Sequence, residues 1–273
     1  MLSLTGRVLD ADTGAPVSEC RLMFSRTSPD SISRPGGTPY ICTNGAFSLE
    51  LPRLGGAVRL KLEAEGYRPI LTEPLPARST NCVFHLKRGG GPAGVVESPD
   101  GVPLPQVEVC YLADRERASL KDGRLADVAG KSRLTDAGGR FSFAPKAGPG
   151  ELIAACSNGF ARVPLLSFDD IQNLRLQPWA RVHGRLLDNG KPATGTKVTL
   201  MIDQPYKPDR PWLRLSADAI TDADGGFAVE HVAPGPWQIG TVLTNGGFQA
   251  HRKFSVHPGE NLDIGEMERT PNR

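Results

Sequence analysis

The sequence predicts an all-β protein made of three tandem Greek-key β-sandwiches of seven strands each, and three observations predict it. Glycine and proline are abundant, 31 and 24 residues, yet they are scattered among short apolar segments, as turns between strands require. One ordered set of landmarks occurs three times at a spacing of about 90 residues. Apolar and charged residues alternate with period two, and no segment carries an apolar stripe of helical period over about ten residues.

The first landmark is a glycine that opens a short apolar strand, followed by a turn rich in Asp, Gly and Pro and then a second strand. It reads "LTGRVLDADTGAPVSECRLMF" from Leu4, "PAGVVESPDGVPLPQVEVCYL" from Pro92 and "RVHGRLLDNGKPATGTKVTLM" from Arg181, with Gly6, Gly94 and Gly184 in the shared position. The second is a hairpin, "CTNGAFSLE", "LTDAGGRFSFA" and "ITDADGGFAVE", in which a Thr precedes the turn and Phe47, Phe141 or Phe227 follows it into an alternating strand. The third sets Tyr67, Phe160 and Phe248 after a glycine, in "AEGY", "SNGF" and "NGGF". The strand "AVRLKLEAEGY" shows the period clearly: Val58, Leu60, Leu62 and Ala64 alternate with Arg59, Lys61, Glu63 and Glu65, one face for a core and one for water. The segments "NCVFHLKRG", "IQNLRLQPW" and "NLDIGEME" close the three modules. The division expected is 1–89, 90–178 and 179–273, with turns about every 8 to 12 residues as in a Greek-key sandwich.

Composition excludes several function classes. Lysine and arginine number 32 against 30 aspartates and glutamates, a formal charge of +2 with no long block of either sign, so nothing points to nucleic acid. No apolar run is long enough to span a bilayer, and "MLSLTGRVLDADTG" lacks a basic region followed by an apolar core, so neither membrane insertion nor a signal peptide is expected. The five cysteines, Cys20, Cys42, Cys82, Cys110 and Cys156, lie in or beside apolar runs without CxxC spacing. They read as free thiols; a disulfide stays open, since spacing alone names no pairing.

With these residues in hand, the pattern "G.V.D..G.P..", then "T(D/N)..G.F", then "..PG.......GY" resembles the carboxypeptidase regulatory-like domain, a prealbumin-like sandwich close to the Cna B-type and starch-binding-like superfamilies. The resemblance covers the whole chain in three copies, the first departing by its shortened hairpin "TNGAF". It implies noncatalytic modules that act as spacers or adhesive units in extracytoplasmic, cell-envelope proteins larger than this chain. The partners it implies are glycans or another envelope protein domain, with no cofactor. Some Cna B-type relatives carry Lys–Asn isopeptide cross-links, but Arg7, Val95 and Arg185 stand where a Lys would be wanted, so none is expected.

Candidate chemistry is sparse. "HPGE", from His257 to Glu260, has a His-x-x-Glu spacing without the downstream histidine that a zinc carboxypeptidase needs. His85, His183, His231 and His251 are scattered, and the four tyrosines do not suggest an iron site. "DADTG" (Asp10–Gly14) and "DADGG" (Asp222–Gly226) offer alternating carboxylates, yet a calcium ion needs six to eight oxygens, and Asp-Gly turns account for both strings more simply. The alternative role is carbohydrate or peptide binding, expected in the insertion "DQPYKPDRPWLR" of the third module, where Tyr206 and Trp212 stand beside Asp209 and Arg210 in a proline-stiffened loop. Trp179 and Trp237 read as structural. The junction holding Pro178 and Trp179 is expected to be stiffer than the glycine-rich "KRGGGPAG".

Overall fold

The computed structural model of the protein describes residues 2–28, 31–32, 36–51, 57–76, 81–113, 116–147, 150–165, 172–203, 211–242 and 247–269. Every regular element among them is a β-strand, so the all-β expectation holds. The first segment contributes β1 (Leu2–Asp10), β2 (Glu19–Ser28), β3 (Ser31–Ile32), β4 (Gly36–Thr43), β5 (Ala46–Leu51), β6 (Ala57–Glu63), β7 (Ile70–Leu71) and β8 (Cys82–Leu86). The middle segment contributes β9 (Ala93–Glu97), β10 (Glu108–Ala113), β11 (Arg117–Lys121), β12 (Arg124–Ala126), β13 (Lys131–Leu134), β14 (Arg140–Ser142), β15 (Gly150–Cys156), β16 (Gly159–Leu165) and β17 (Gln172–Arg175). The last contributes β18 (Ala180–Asp188), β19 (Lys191–Pro192), β20 (Lys197–Ile202), β21 (Trp212–Ile220), β22 (Gly226–Val232), β23 (Gly235–Val242), β24 (Phe248–Val256) and β25 (Asn261–Glu268).

One pairing scheme recurs along the chain. The opening strand of each segment lies between the strand that follows the Thr hairpin and the closing strand: β5-β1-β8, β14-β9-β17 and β22-β18-β25. The second long strand lies between two others: β4-β2-β6, β13-β10-β15 and β21-β20-β23. The closing strand runs parallel to the opening one each time, which needs a long crossover and brings the two ends of a segment together. This close approach explains the first landmark glycine, because a Cβ on Gly6 or Gly94 would collide with the carbonyl oxygen of Cys82 or Gln172 on the closing strand.

The chain divides into two compact units: Met1–Pro92 with Ser142–Pro149 and Ser167–Asp170, and Ala93–Phe141 with Gly150–Leu166 and Ile171–Arg273. In the first unit, Leu4, Val8, Phe47, Leu49 and Leu86 from β1, β5 and β8 meet Leu22, Leu60 and Leu62 from β2 and β6 in a single core. β6 alternates as the sequence predicts, with Val58, Leu60 and Leu62 buried and the residues between them only partly so. The expectation of free thiols is corrected here for two cysteines. Cys20 and Cys42 face each other in register across β2 and β4, their Cα atoms 5.2 Å apart, and form a disulfide. Cys82 and Cys156 are free thiols.

The second unit is organised differently. Five of the six residues of β10 and six of the seven of β15 are buried, so both faces of these two strands are covered. Val109 and Tyr111 bury one face, while Cys110, Leu112 and Ile153 belong to a cluster that runs on into Val198, Leu200, Leu213, Leu215, Trp237 and Ile239 of the last segment. The bridge is the β11–β12 hairpin. β11 pairs in parallel with β21, Arg117 opposite Trp212 through Lys121 opposite Ser216, and thereby extends the last segment's sheet to the order β12-β11-β21-β20-β23-β24. Ala118 and Leu120 are buried beside Leu213 and Leu215 on its inner face. Trp179 closes the junction, donating its indole N–H to the Cys156 carbonyl at 2.7 Å and packing against the Phe160 and His231 rings.

Candidate functional site

The repeated hairpins are built by their own side chains. Asp222 Oδ1 accepts the amides of Asp224 and Gly226 at 2.9 and 2.7 Å, and Asp136 Oδ1 accepts those of Gly138 and Arg140 at 2.9 and 2.8 Å. Gly225 and Gly139 supply the positive φ that closes each turn, and in the shorter first hairpin Asn44 and Gly45 do so at φ 52 and 70°. The Thr before the turn has a role that its recurrence signalled without explaining. The Thr135 hydroxyl accepts the Val107 amide at 3.0 Å and donates to the Leu104 carbonyl at 2.7 Å, and Thr221 likewise accepts from Thr196 and donates to Ala193. Both are buried clasps that hold the hairpin to the turn before the second long strand.

"DADTG" is a different structure. Asp10, 1% exposed, accepts the Asp12 and Thr13 amides at Oδ1 and, at Oδ2, the Tyr67 hydroxyl at 2.8 Å and the Arg88 Nε at 2.7 Å. The turn amide of Thr13, the Tyr67 hydroxyl and Arg88 together hold its carboxyl well below the usual range, and the same contacts push Tyr67 and Arg88 upward. The arrangement ties the first strand to the third landmark and to the segment's end, a closure no local pattern announced. "HPGE" is also a turn: Glu260 accepts the His257 amide at 2.7 Å, which lowers its pKa. Among the described residues no group of three or more His, Cys, Asp or Glu could hold a metal ion.

Of the residues expected to recognise a ligand, Tyr206, Asp209 and Arg210 lie outside the described residues. Trp212 opens β21, half-buried, with the Arg117 guanidinium 5.8 Å from its ring centroid. The indole therefore stands on the seam between β11 and β21. A depression of about 420 Å³ lies beside the Asp222 hairpin, lined in part by Arg181, His183, Ile220 and Ala228. Two of its lining side chains have partners elsewhere: Arg181 pairs with Glu230 at 2.7 Å, and the His183 ring stands 3.8 Å from Asp263.

The outer face of the six-stranded sheet carries charged side chains of both signs. Register places Arg124, Lys121, Ser216, Met201, Gln238 and Lys253 in one row straight across all six strands. Arg117, Arg214 and Lys197 share this face, opposite the buried Ala118, Leu213 and Val198. Asp218, 2.9 Å from Lys197 and 3.2 Å from Lys121, and Asp203, 2.9 Å from Lys253, are its carboxylates. Burial opposes ionisation of Asp218, but hydrogen bonds from Lys197, Thr199 and Lys121 outweigh it and lower its pKa.

No protein-family model matches the chain, and no curated protein does. Several solved structures are similar to it, pilins among them. A streptococcal ancillary pilin is 10% identical, with 99% of each chain covered and a TM-score of 0.33. The minor pilin of Streptococcus agalactiae is 12% identical over 63% of this chain and 87% of its own, at a TM-score of 0.33. The major pilin subunit of Bacillus cereus is 9% identical over 98% of this chain and 99% of its own, at 0.24.

Proposed function

We propose that the chain is a noncatalytic structural and interaction segment of an extracytoplasmic protein, made of three sandwich modules at 1–89, 90–178 and 179–273, the second and third acting as one stiff body. One observation carries this reading: β11 of the middle segment pairs with β21 of the last, and a single hydrophobic cluster runs through both. Modules that only shared a linker would be free to swing, whereas a shared strand ladder and core resist bending. The threefold recurrence of the pairing scheme supports the modular division. The Cys20–Cys42 disulfide supports an oxidising location.

Hydrogen exchange on the full chain tests the stiff body. The amides of Arg117–Lys121 should be protected to the same degree as those of β21 and β20, opening together with them. Exchange of the hairpin at loop rates, with β20 and β21 still protected, would mean that the two modules move independently and would end this reading.

A further inference from the structure

The edge of a sheet offers unpaired N–H and C=O groups to any strand that comes beside it, and proteins blunt such edges with charges and prolines. Most edges here are blunted. β13 carries Lys131 and Arg133, β24 carries Arg252 and Lys253, β16 has Pro164 and β17 has Arg175, while the Arg252 guanidinium bonds the Ile264 and Glu266 carbonyls of β25. Among the described residues, β8, "CVFHL", is the edge strand longer than two residues that holds no Lys, Arg, Asp, Glu or Pro. The ladder with β1 defines its free groups. The Leu86 carbonyl accepts the Ala11 amide, and in a parallel pair alternate residues bond one neighbour, so Cys82, Phe84 and Leu86 direct their backbone groups to β1. Val83, 52% exposed, and His85 turn theirs outward, where no described strand meets them.

We propose that β8 is a self-association edge, at which two copies of the chain pair their β8 strands antiparallel about a two-fold axis at Phe84. This register uses every outward group: Val83 faces His85 of the second copy, and each such pair exchanges both N–H···O=C bonds. Phe84, half-buried and stacked on Phe47 with ring centroids 5.9 Å apart, falls at the axis in a non-hydrogen-bonded pair, the closer kind, so the two Phe84 rings meet at the rim of the core. Charge selects the direction. Lys87 and Arg88 follow β8, and antiparallel pairing sends them to opposite ends, with Lys87 facing Asn81 of the second copy, whereas parallel pairing would set like charges side by side. A strand from another protein would have to present an apolar ring to Phe84 and an uncharged residue to Val83; a second copy does so by symmetry, and the contact closes at two chains. Area sets the strength: strands of 5 residues bury well under the about 1,200 Å² of a stable interface, so the dimer is weak, with a Kd above about 1 μM.

Sedimentation equilibrium of the full chain from about 1 μM to about 1 mM tests this, and a reversible monomer–dimer equilibrium is expected. Val83→Lys, which sets a charge on the edge, should weaken association by about tenfold or more. Cys82 lies opposite Gly6 and Gln172 opposite Gly94, so Asn173 holds the place of Val83 in the middle segment, and Asn173→Lys should leave association unchanged. Hydrogen exchange of the native chain is a second readout that needs no variant. The Val83 and His85 amides should exchange freely at low concentration and gain protection as the dimer forms, while the Phe84 amide, bonded to β1, stays protected throughout. If thermal unfolding shows Val83→Lys to be misfolded, exchange decides. A chain still monomeric at about 1 mM would leave the edge to a strand of another protein and overturn the proposal. Equal loss in Asn173→Lys, or a dimer in which the Val83 and His85 amides gain no protection, would overturn it as well.

Discussion

β6 of the first segment and β15 of the middle segment occupy the same place in their sheets, beside β2 and β10, yet their surroundings are opposite. β6 buries Val58, Leu60 and Leu62 and turns Arg59, Lys61 and Glu63 to the other face, whereas β15, "GELIAAC", is buried on both. Glu151 is the exception that fits the rule, since its carboxylate is neutralised by Arg162 at 2.6 Å. Alternation marks a sheet face that meets water, and a continuous apolar run marks a face that some other element must cover. The covering elements here are the β11–β12 hairpin and the last segment's core.

Substitution breaks this comparison most sharply. Leu112→Ala, on the covered outer face of β10, should destabilise the second unit by about 2–5 kcal/mol, the usual cost of a core cavity. Lys61→Ala on the corresponding face of β6 should change stability by no more than about 0.5 kcal/mol. Denaturant unfolding of both variants measures the contrast, and equal effects would erase it.

The two units also differ in how the second long strand is tied to its neighbour. The first has the Cys20–Cys42 bond, while the middle and last segments have the buried hydroxyls of Thr135 and Thr221. Reduction should therefore act on the first unit alone. Opening a loop of 22 residues costs about 3 kcal/mol on the chain-entropy account, so dithiothreitol should lower the first unit's unfolding transition and leave the second's in place.

The smallest effect expected is a pH dependence confined to the second unit. Burial first, then the positive charge of Arg269, holds the His251 pKa below its ordinary value of 6.5. The folded chain then binds fewer protons at this site than the unfolded one. The contribution is fully present above the unfolded value and declines as pH falls through it. Thermal unfolding between pH about 8 and about 5 should show the decline, and His251→Gln should flatten it. A slope unchanged in that variant would assign the effect elsewhere.

Much of the fold was legible because it is written in neighbouring residues. The hairpins follow from Asp and Gly acting over four or five positions, β6 from strict alternation, and the buried Trp237 from its place in a core strand, where its N–H finds the Ala233 carbonyl. The charged outer face of the six-stranded sheet was not legible, because its side chains fall on several strands in two segments and no stretch of sequence gathers them. The recognition loop drew attention for its aromatics, but Trp212, its described member, serves a strand seam.

By itself the sequence determined the all-β class, the recurring landmarks and the turns, since each depends on backbone preferences and on contacts within a few residues. Tertiary structure decided the rest. It set Cys20 against Cys42, brought Tyr67 and Arg88 to Asp10 across 57 and 78 residues, and laid the β11–β12 hairpin beside β21, where Asp122 meets the Asp218 amide 96 residues away. The reason is register: a strand's side chains acquire partners only when another strand is fixed beside it, and a shift of one residue would turn every one of them to the other face.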